Sequence, residues 1–383
     1  MSINLNHYFT EKCYDGNFLN FLSIHDNGRS YYLTMPNDGK LDELYNVTME
    51  LKSRQLTGTK QQVFEVSEQQ LKLLNRIAEQ ETNWIVYPLF IVAEQFYQIS
   101  KTINSISELE RCGRTIHRSF NLCLNDRNPT LPKNRRIGCY MFANLEFQLY
   151  HKLKNRDMMK NLVKVLQSRR QEIPTLRQSL ARYHKSHMVK YNYYMGEYYG
   201  CYEGDFSRGH EYLSDALMDC SRDPRLTKKR QRIVILLVPM AVLMKKRPVK
   251  VPEIYHNMLK ALKTGNLSQY DAQVHKNEIF YLENGLYVAM SLIRELVLLR
   301  LIKQCYRYYG SRNILPLSII AIGYTKSTQR GKQRAKKLTP QAERELLDSL
   351  ECQLANLIAK DHIKGYLSHS NRCIVLSKKN PFP

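Results

Sequence analysis

Lys326, Arg330, Lys332, Arg334, Lys336 and Lys337 fall within twelve consecutive residues that contain no acid. The chemistry open to such a run is anion binding. Converging cations release the counterions condensed on a phosphate backbone, so affinity falls steeply as salt rises. Lys228, Lys229, Arg230 and Arg232 form a second group at the head of an apolar run. Lys364, Arg372, Lys378 and Lys379 form a third. These residues sit in a chain of uneven charge. Segments 151–190, 222–250 and 324–383 carry +9, +9 and +7, so the rest of a chain of net charge +23 comes to −2. Solubility does not require such segregation, which points to a polyanionic partner: nucleic acid or acidic protein. The bland alternative is that each cluster is a solvated helix face, with 326–337 a loop or a localisation signal. The fourteen residues named here are the candidate nucleic-acid-binding set.

Catalytic chemistry finds no comparable pattern. The nine cysteines are scattered, with no two closer than ten residues, so no C-x-x-C pair exists. They read as reduced, buried thiols of a cytosolic or nuclear protein. No H-E-x-x-H, glycine-rich phosphate loop or G-x-S-x-G elbow occurs. His184 and His187 lie in a basic stretch that would repel a metal ion. Carboxylates are sparse in the middle of the chain, which argues against an acid–base pair. No enzyme activity, metal or cofactor is expected. The opening residues lack a basic segment followed by an apolar core, the pattern of a secretory leader. The longest apolar run, Ile233 to Met244, spans twelve residues and contains Pro239. That falls short of the ~20 residues that cross a bilayer, so no membrane contact is expected.

The elements that must position the cations read as helices. With 16 glycines and 13 prolines in 383 residues, and most prolines between apolar runs, long helices are favoured over an all-β design. Residues 1–66 are an N-terminal segment of uncertain fold. Ser67 and Gln70 resemble a capping box opening a helix. From 67 to 310 apolar stripes recur at helical spacing. Phe142, Leu145, Leu149 and Leu153 form one, and Met159, Leu162, Val163 and Leu166 the next. Tyr191, Tyr194, Met195 and Tyr198 form a third, in a tyrosine cluster expected to be inter-helix core. The turns at Asn155-Arg156-Asp157 and Glu203-Gly204-Asp205 lie 48 residues apart. That spacing suggests an irregular helical solenoid of the TPR or HEAT kind. Residues 311–383 read differently. A helix over Asn313–Tyr324 with Pro316 in its first turn, one opening at Thr339-Pro340 and a third capped by Asp348 or Ser349 precede two β-like runs. Three helices and a hairpin make a winged helix-turn-helix. The third helix is expected to expose Glu351, Gln353 and Asn356. It therefore suits backbone tracking by flanking cations better than insertion into a groove.

A helical-repeat region running straight into a winged helix resembles the PCI domain of the proteasome lid, the COP9 signalosome and the initiation-factor scaffold. Within that class the chain resembles the group joining signalosome-subunit-twelve-like proteins with the PCI subunit of the nuclear mRNA-export complex. The stretches that carry the likeness are IHRSFNLCLNDRNP (116–129), YYMGEYYGCYEGDFSRGHEYLSDALMDC (193–220), KKRQRIVILLVPMAVLMKKRP (228–248) and LANLIAKDHIKGYLSHSNRCIVLSKKNPFP (354–383). The resemblance covers about residues 100–383. It implies a non-catalytic scaffold subunit found in the nucleus and also the cytoplasm. Its implied partners are a SAC/GANP-type helical scaffold protein, a small acidic disordered peptide of the proteasome-lid type, and RNA or DNA. Such a hetero-oligomer would couple transcription or splicing to mRNA export. The alternative is a protein-interaction subunit of a signalosome-like or proteasome-lid-like assembly that touches no nucleic acid. The family supplies no short functional motif, so the candidate residues rest on charge and position alone.

Overall fold

The computed structural model describes residues 2–24, 31–33, 39–130, 133–175, 185–328 and 339–383. Among the described residues the fold is all-α apart from two small sheets, and the chain divides into two compact units. One comprises residues 1–198 with 215–222, the other 199–214 with 223–383.

In the first unit, Leu5–Glu11 and Gly16–Leu22 are short helices, each capped by a side chain. Asn4 accepts from the His7 amide and Asp15 from that of Phe18. Backbone pairing of Ser2–Ile3 with Tyr32–Leu33 forms a two-residue parallel bridge. The repeat region then runs Gly39–Thr57, Lys60–Ala78, Val86–Ile103, Ile106–Leu124, Cys139–Leu153 and Arg156–Ser168, each helix packed on its chain neighbours. Lys185–Glu197 packs against Cys139–Leu153. Successive antiparallel helices of this kind are the solenoid expected from the period of the apolar stripes. The stripe residues Phe142, Leu145 and Leu149 are buried, as are Met159, Leu162, Val163 and Leu166. Tyr191, Tyr198 and Tyr199 of the tyrosine cluster are buried core as well, whereas Tyr193, Tyr194 and Tyr202 are half-buried.

The capping box lies eight residues earlier than the sequence suggested. Thr59 and Gln62 make it: the Thr59 hydroxyl accepts from the Gln62 amide at 3.3 Å, and the Gln62 side chain accepts from the Thr59 amide at 3.0 Å. Ser67 and Gln70 are instead buried within the helix. The Gln70 amide donates to the Thr48 hydroxyl at 3.0 Å and the Leu22 carbonyl at 3.2 Å, so it ties the N-terminal helices to the repeat.

The second unit is organised around Tyr287–Tyr308, which packs on Thr227–Leu243, His256–Thr264, Leu267–Lys276 and Leu317–Thr328. The winged helix follows. Ile314–Pro316, Gly365–Ser368 and Cys373–Leu376 form an antiparallel sheet with Cys373–Leu376 in the middle. Two expectations are corrected here. Ile314–Pro316 is an edge strand, not the first turn of a helix, and Pro316 ends it where a missing amide costs no ladder bond. Pro340–Ala359 is one unbroken helix with Thr339 as its cap, so neither Asp348 nor Ser349 starts a third. The Thr339 hydroxyl accepts from the Ala342 amide at 3.3 Å. The helix count is completed on the other side by Tyr287–Tyr308, directly before the first strand.

Candidate functional site

The candidate cations among the described residues fall in three parts of the second unit: the helix Thr227–Leu243, the helix Leu317–Thr328 and the wing. Lys228, Lys229, Arg230 and Arg232 occupy the first turns of Thr227–Leu243, a 17-residue helix with no acid in its first turn. That end carries the positive pole of the helix, where acids stabilise and cations do not. Four cations there raise the local potential and leave an anionic partner as the natural counter-charge. Lys228, Lys229 and Arg232 are exposed and Arg230 is half-buried.

Lys326 is exposed near the end of Leu317–Thr328. Arg330, Lys332, Arg334, Lys336 and Lys337 lie outside the described residues.

The wing brings three cations together and commits a fourth internally. Lys364 is exposed, its amide donating to the Pro381 carbonyl at 2.9 Å and its carbonyl accepting from Ser377 at 2.8 Å. This pairing folds the exposed Lys378 and Lys379 back beside it. Phe382 then packs edge-on to Tyr306 at 5.5 Å, under the Lys303 ammonium. Arg372, in contrast, reaches Asp348 at 2.6 Å and Glu351 at 3.0 Å on Pro340–Ala359. His369 Nδ1 lies 2.8 Å from the same Glu351 carboxylate. Glu351 is thus no exposed acid of a recognition face. Its side chain is 13% exposed and fastens the wing to the helix.

The sheet carries a surface that the sequence did not announce. Register places Ile314 opposite Val375, and Val375 opposite Tyr366. Side chains alternate along a strand, so these three share the outer face. Ile314 is 57% exposed and Tyr366 64%. Their neighbours Leu315 and Ile374 are fully buried on the inner face. Ile314-Leu315-Pro316 shows no polar–apolar alternation in the sequence, and reading 313–324 as a helix put Ile314 on the wrong element.

Among the described residues, no group of three His, Cys, Asp or Glu side chains could hold a metal ion, and no helix is long and apolar enough to cross a membrane. Six of the nine cysteines are buried. Burial pushes the Cys112 and Cys123 thiols up to about 12, which makes them poor nucleophiles.

No protein-family model matches the chain. Curated relatives do. The chain is 40% identical to Cop9 signalosome complex subunit 12 of Saccharomyces cerevisiae, over 100% of its own length and 99% of the relative's. It is 37% identical to COP9 signalosome complex subunit 12 of Eremothecium gossypii, covering 92% and 90%. PCI domain-containing protein 2 of Danio rerio is 26% identical, covering 80% and 74%. Together with a helical repeat that ends in a winged helix, this similarity places the chain in the signalosome-subunit-12 (CSN12) family of non-catalytic PCI proteins.

Proposed function

We infer that the chain is a scaffold subunit of a signalosome-like hetero-oligomer and that its winged helix, residues 311–383, docks on a sister subunit. The relatives' printed names support membership of such a complex. The observation that carries the docking surface is the outer face of the wing sheet, where Ile314, Val375 and Tyr366 form an apolar stripe across three strands. Exposed apolar stripes of this kind mark protein contacts. One of the four wing cations is engaged within the chain: Arg372 pairs with Asp348 and Glu351 and holds the wing to its helix.

A second reading keeps nucleic acid as a direct ligand in the nucleus, during transcription, splicing or export. The acid-free start of Thr227–Leu243 favours it, together with the exposed Lys326, Lys364, Lys378 and Lys379. In that reading the cations track a phosphate backbone and read no bases.

One experiment separates the two. The chain is tagged and recovered from its own cells as wild type, as Ile314→Glu with Tyr366→Glu, and as Lys228→Glu with Lys229→Glu and Arg232→Glu. The sheet variant is expected to fold, since both side chains face solvent, and to lose its stoichiometric protein partners. The helix variant keeps them. Retained partners in the sheet variant would sink the docking surface. Partner loss in the helix variant that nuclease treatment reproduces in the wild type would favour the second reading.

A further inference from the structure

A basic groove in the first unit lies outside all three charged segments. Two neighbouring helices build it, Lys60–Ala78 and Ile106–Leu124. Lys72 and Arg76 line one wall, Arg111, Arg114 and Arg118 the other, and the groove encloses about 440 Å³. Its floor is Glu68, 3% exposed, with Thr115 beside it. One carboxylate serves several donors there. Glu68 pairs with Arg111 and lies 2.9 Å from the Lys72 ammonium, while the Thr115 hydroxyl donates to it at 3.2 Å. These contacts fix the inner ends of both walls but leave surplus charge. Arg118 pairs with Glu79 at 2.7 Å. Arg76 and Arg114 are exposed and have no ion pair among the described residues.

We propose that this groove receives a phosphorylated segment of a protein partner. Four of the five cations are arginines, whose planar forks bind carboxylate or phosphate through paired hydrogen bonds. The charge balance decides between those two ligands. A carboxylate brings one negative charge, a phosphorylated side chain about 1.5 to 2 and three acceptor oxygens. The smaller number of dianions neutralises the surplus within so short a groove. The rims decide between a peptide and a nucleic acid. Glu65 and Glu108 lie close enough to act on Arg111 at one end, and Glu79 closes the other. A long phosphate backbone would run into these carboxylates, whereas a single phosphorylated side chain or two fits between them. The groove is remote in sequence from the wing sheet, so this proposal stands or falls separately from the docking surface.

The test uses the full chain and a fluorescein-labelled peptide carrying two phosphoserines separated by one glycine. The comparison ligands are the same peptide with glutamates in place of the phosphoserines and a short single-stranded oligonucleotide. Two variants of equal net charge are compared: Arg76→Gln with Arg114→Gln, and Lys260→Gln with Lys276→Gln on exposed surface elsewhere. Gln keeps the helix propensity of the residues it replaces, and melting curves check the fold. At near-physiological salt the wild type should bind the phosphopeptide at least about tenfold tighter than the glutamate peptide. The Arg76/Arg114 variant should lose that margin, and the Lys260/Lys276 variant should keep it. Equal affinity for the two peptides would overturn the proposal, as would an Arg76/Arg114 variant that still discriminates. So would an oligonucleotide that displaces the phosphopeptide from the wild type at lower concentration than the phosphopeptide itself, which would assign the groove to nucleic acid.

Discussion

At the scale of single residues, polar side chains that invite a functional reading in the sequence are spent on holding helices together. The 116–129 run shows this. His117 lies 3.2 Å from the buried Glu146 carboxylate, and the Ser119 hydroxyl donates to Asn75 at 2.8 Å. Asp126 accepts from the Arg135 amide at 2.8 Å, from its Nε at 3.1 Å and from the Asn128 amide at 3.0 Å. Burial works against the Asp126 charge, and those donors outweigh it and hold the carboxyl below its ordinary range. Glu68 follows the same logic. Burial raises its pKa, but hydrogen bonds from Arg111 and Lys72 overcome this and bring it below the usual glutamate value. A lowered folded pKa means stabilisation that is present above the unfolded pKa and lost as pH falls through the folded one. Arg111→Met should therefore destabilise the chain by about 2 kcal/mol at pH 7. That is less than the 3–5 typical of breaking a fully buried pair, because Arg111 is 40% exposed. The gap between wild type and variant should shrink as pH drops below the ordinary glutamate range, about 4.3. Urea titrations across pH 3 to 7 measure it, and a gap that stays constant would rule out this role for Glu68. The sequence did not single out the cations of this site, since Arg111 meets Glu68 across 43 residues of chain.

At the scale of elements, the turn within the 193–220 stretch shows what periodicity finds and what it misses. The sequence located a turn at Glu203-Gly204-Asp205, and the structure has it, with Gly204 at φ +73°, a conformation glycine adopts without strain. The reason for the neighbouring glycines is tertiary. A π-helical turn over Tyr198–Glu203 leads into Phe206–Asp219. A Cβ on Gly209 would meet the Gly200 Cα at 2.8 Å and its nitrogen at 2.9 Å. Backbone cannot swing aside, so Gly209→Ala should cost about 1–3 kcal/mol through overpacking. Gly16→Ala, where a Cβ meets nothing within 4 Å, should stay within about 0.5 kcal/mol. Thermal melts of the two variants check this, and equal melting temperatures would refute the close approach. Helix existence was legible from apolar spacing over the repeat from residue 67, but not in residues 1–66, where Leu5–Glu11, Gly16–Leu22 and Gly39–Thr57 are helices. Element ends were not, because the signals compete: Thr59 outcompetes Ser67 as a cap, and a three-residue strand at Ile314 is too short to show its alternation.

At the scale of the whole molecule, the charge segregation seen in the sequence divides into cations held internally and cations left open. Arg372 binds Asp348 and Glu351, and Lys360 binds Glu295 at 2.6 Å, so part of the basic C-terminal segment is neutralised within the chain. Lys228, Lys229 and Arg232 remain exposed at a helix start that repels cations. The basic groove between Lys60–Ala78 and Ile106–Leu124 was invisible to segment sums. Its five cations come from two helices whose own acids reduce each to a net charge of +1 in a count along the chain, and only packing separates the two faces. A chain with net charge +23 and an exposed apolar stripe across its wing sheet is built for company. The most direct test of that claim is the native mass of the chain isolated from its own cells, measured after nuclease treatment and a wash in high salt. A stoichiometric hetero-oligomer well above 45.2 kDa that survives both treatments is expected. A chain recovered at 45.2 kDa, or a complex that nuclease dissolves, would contradict it.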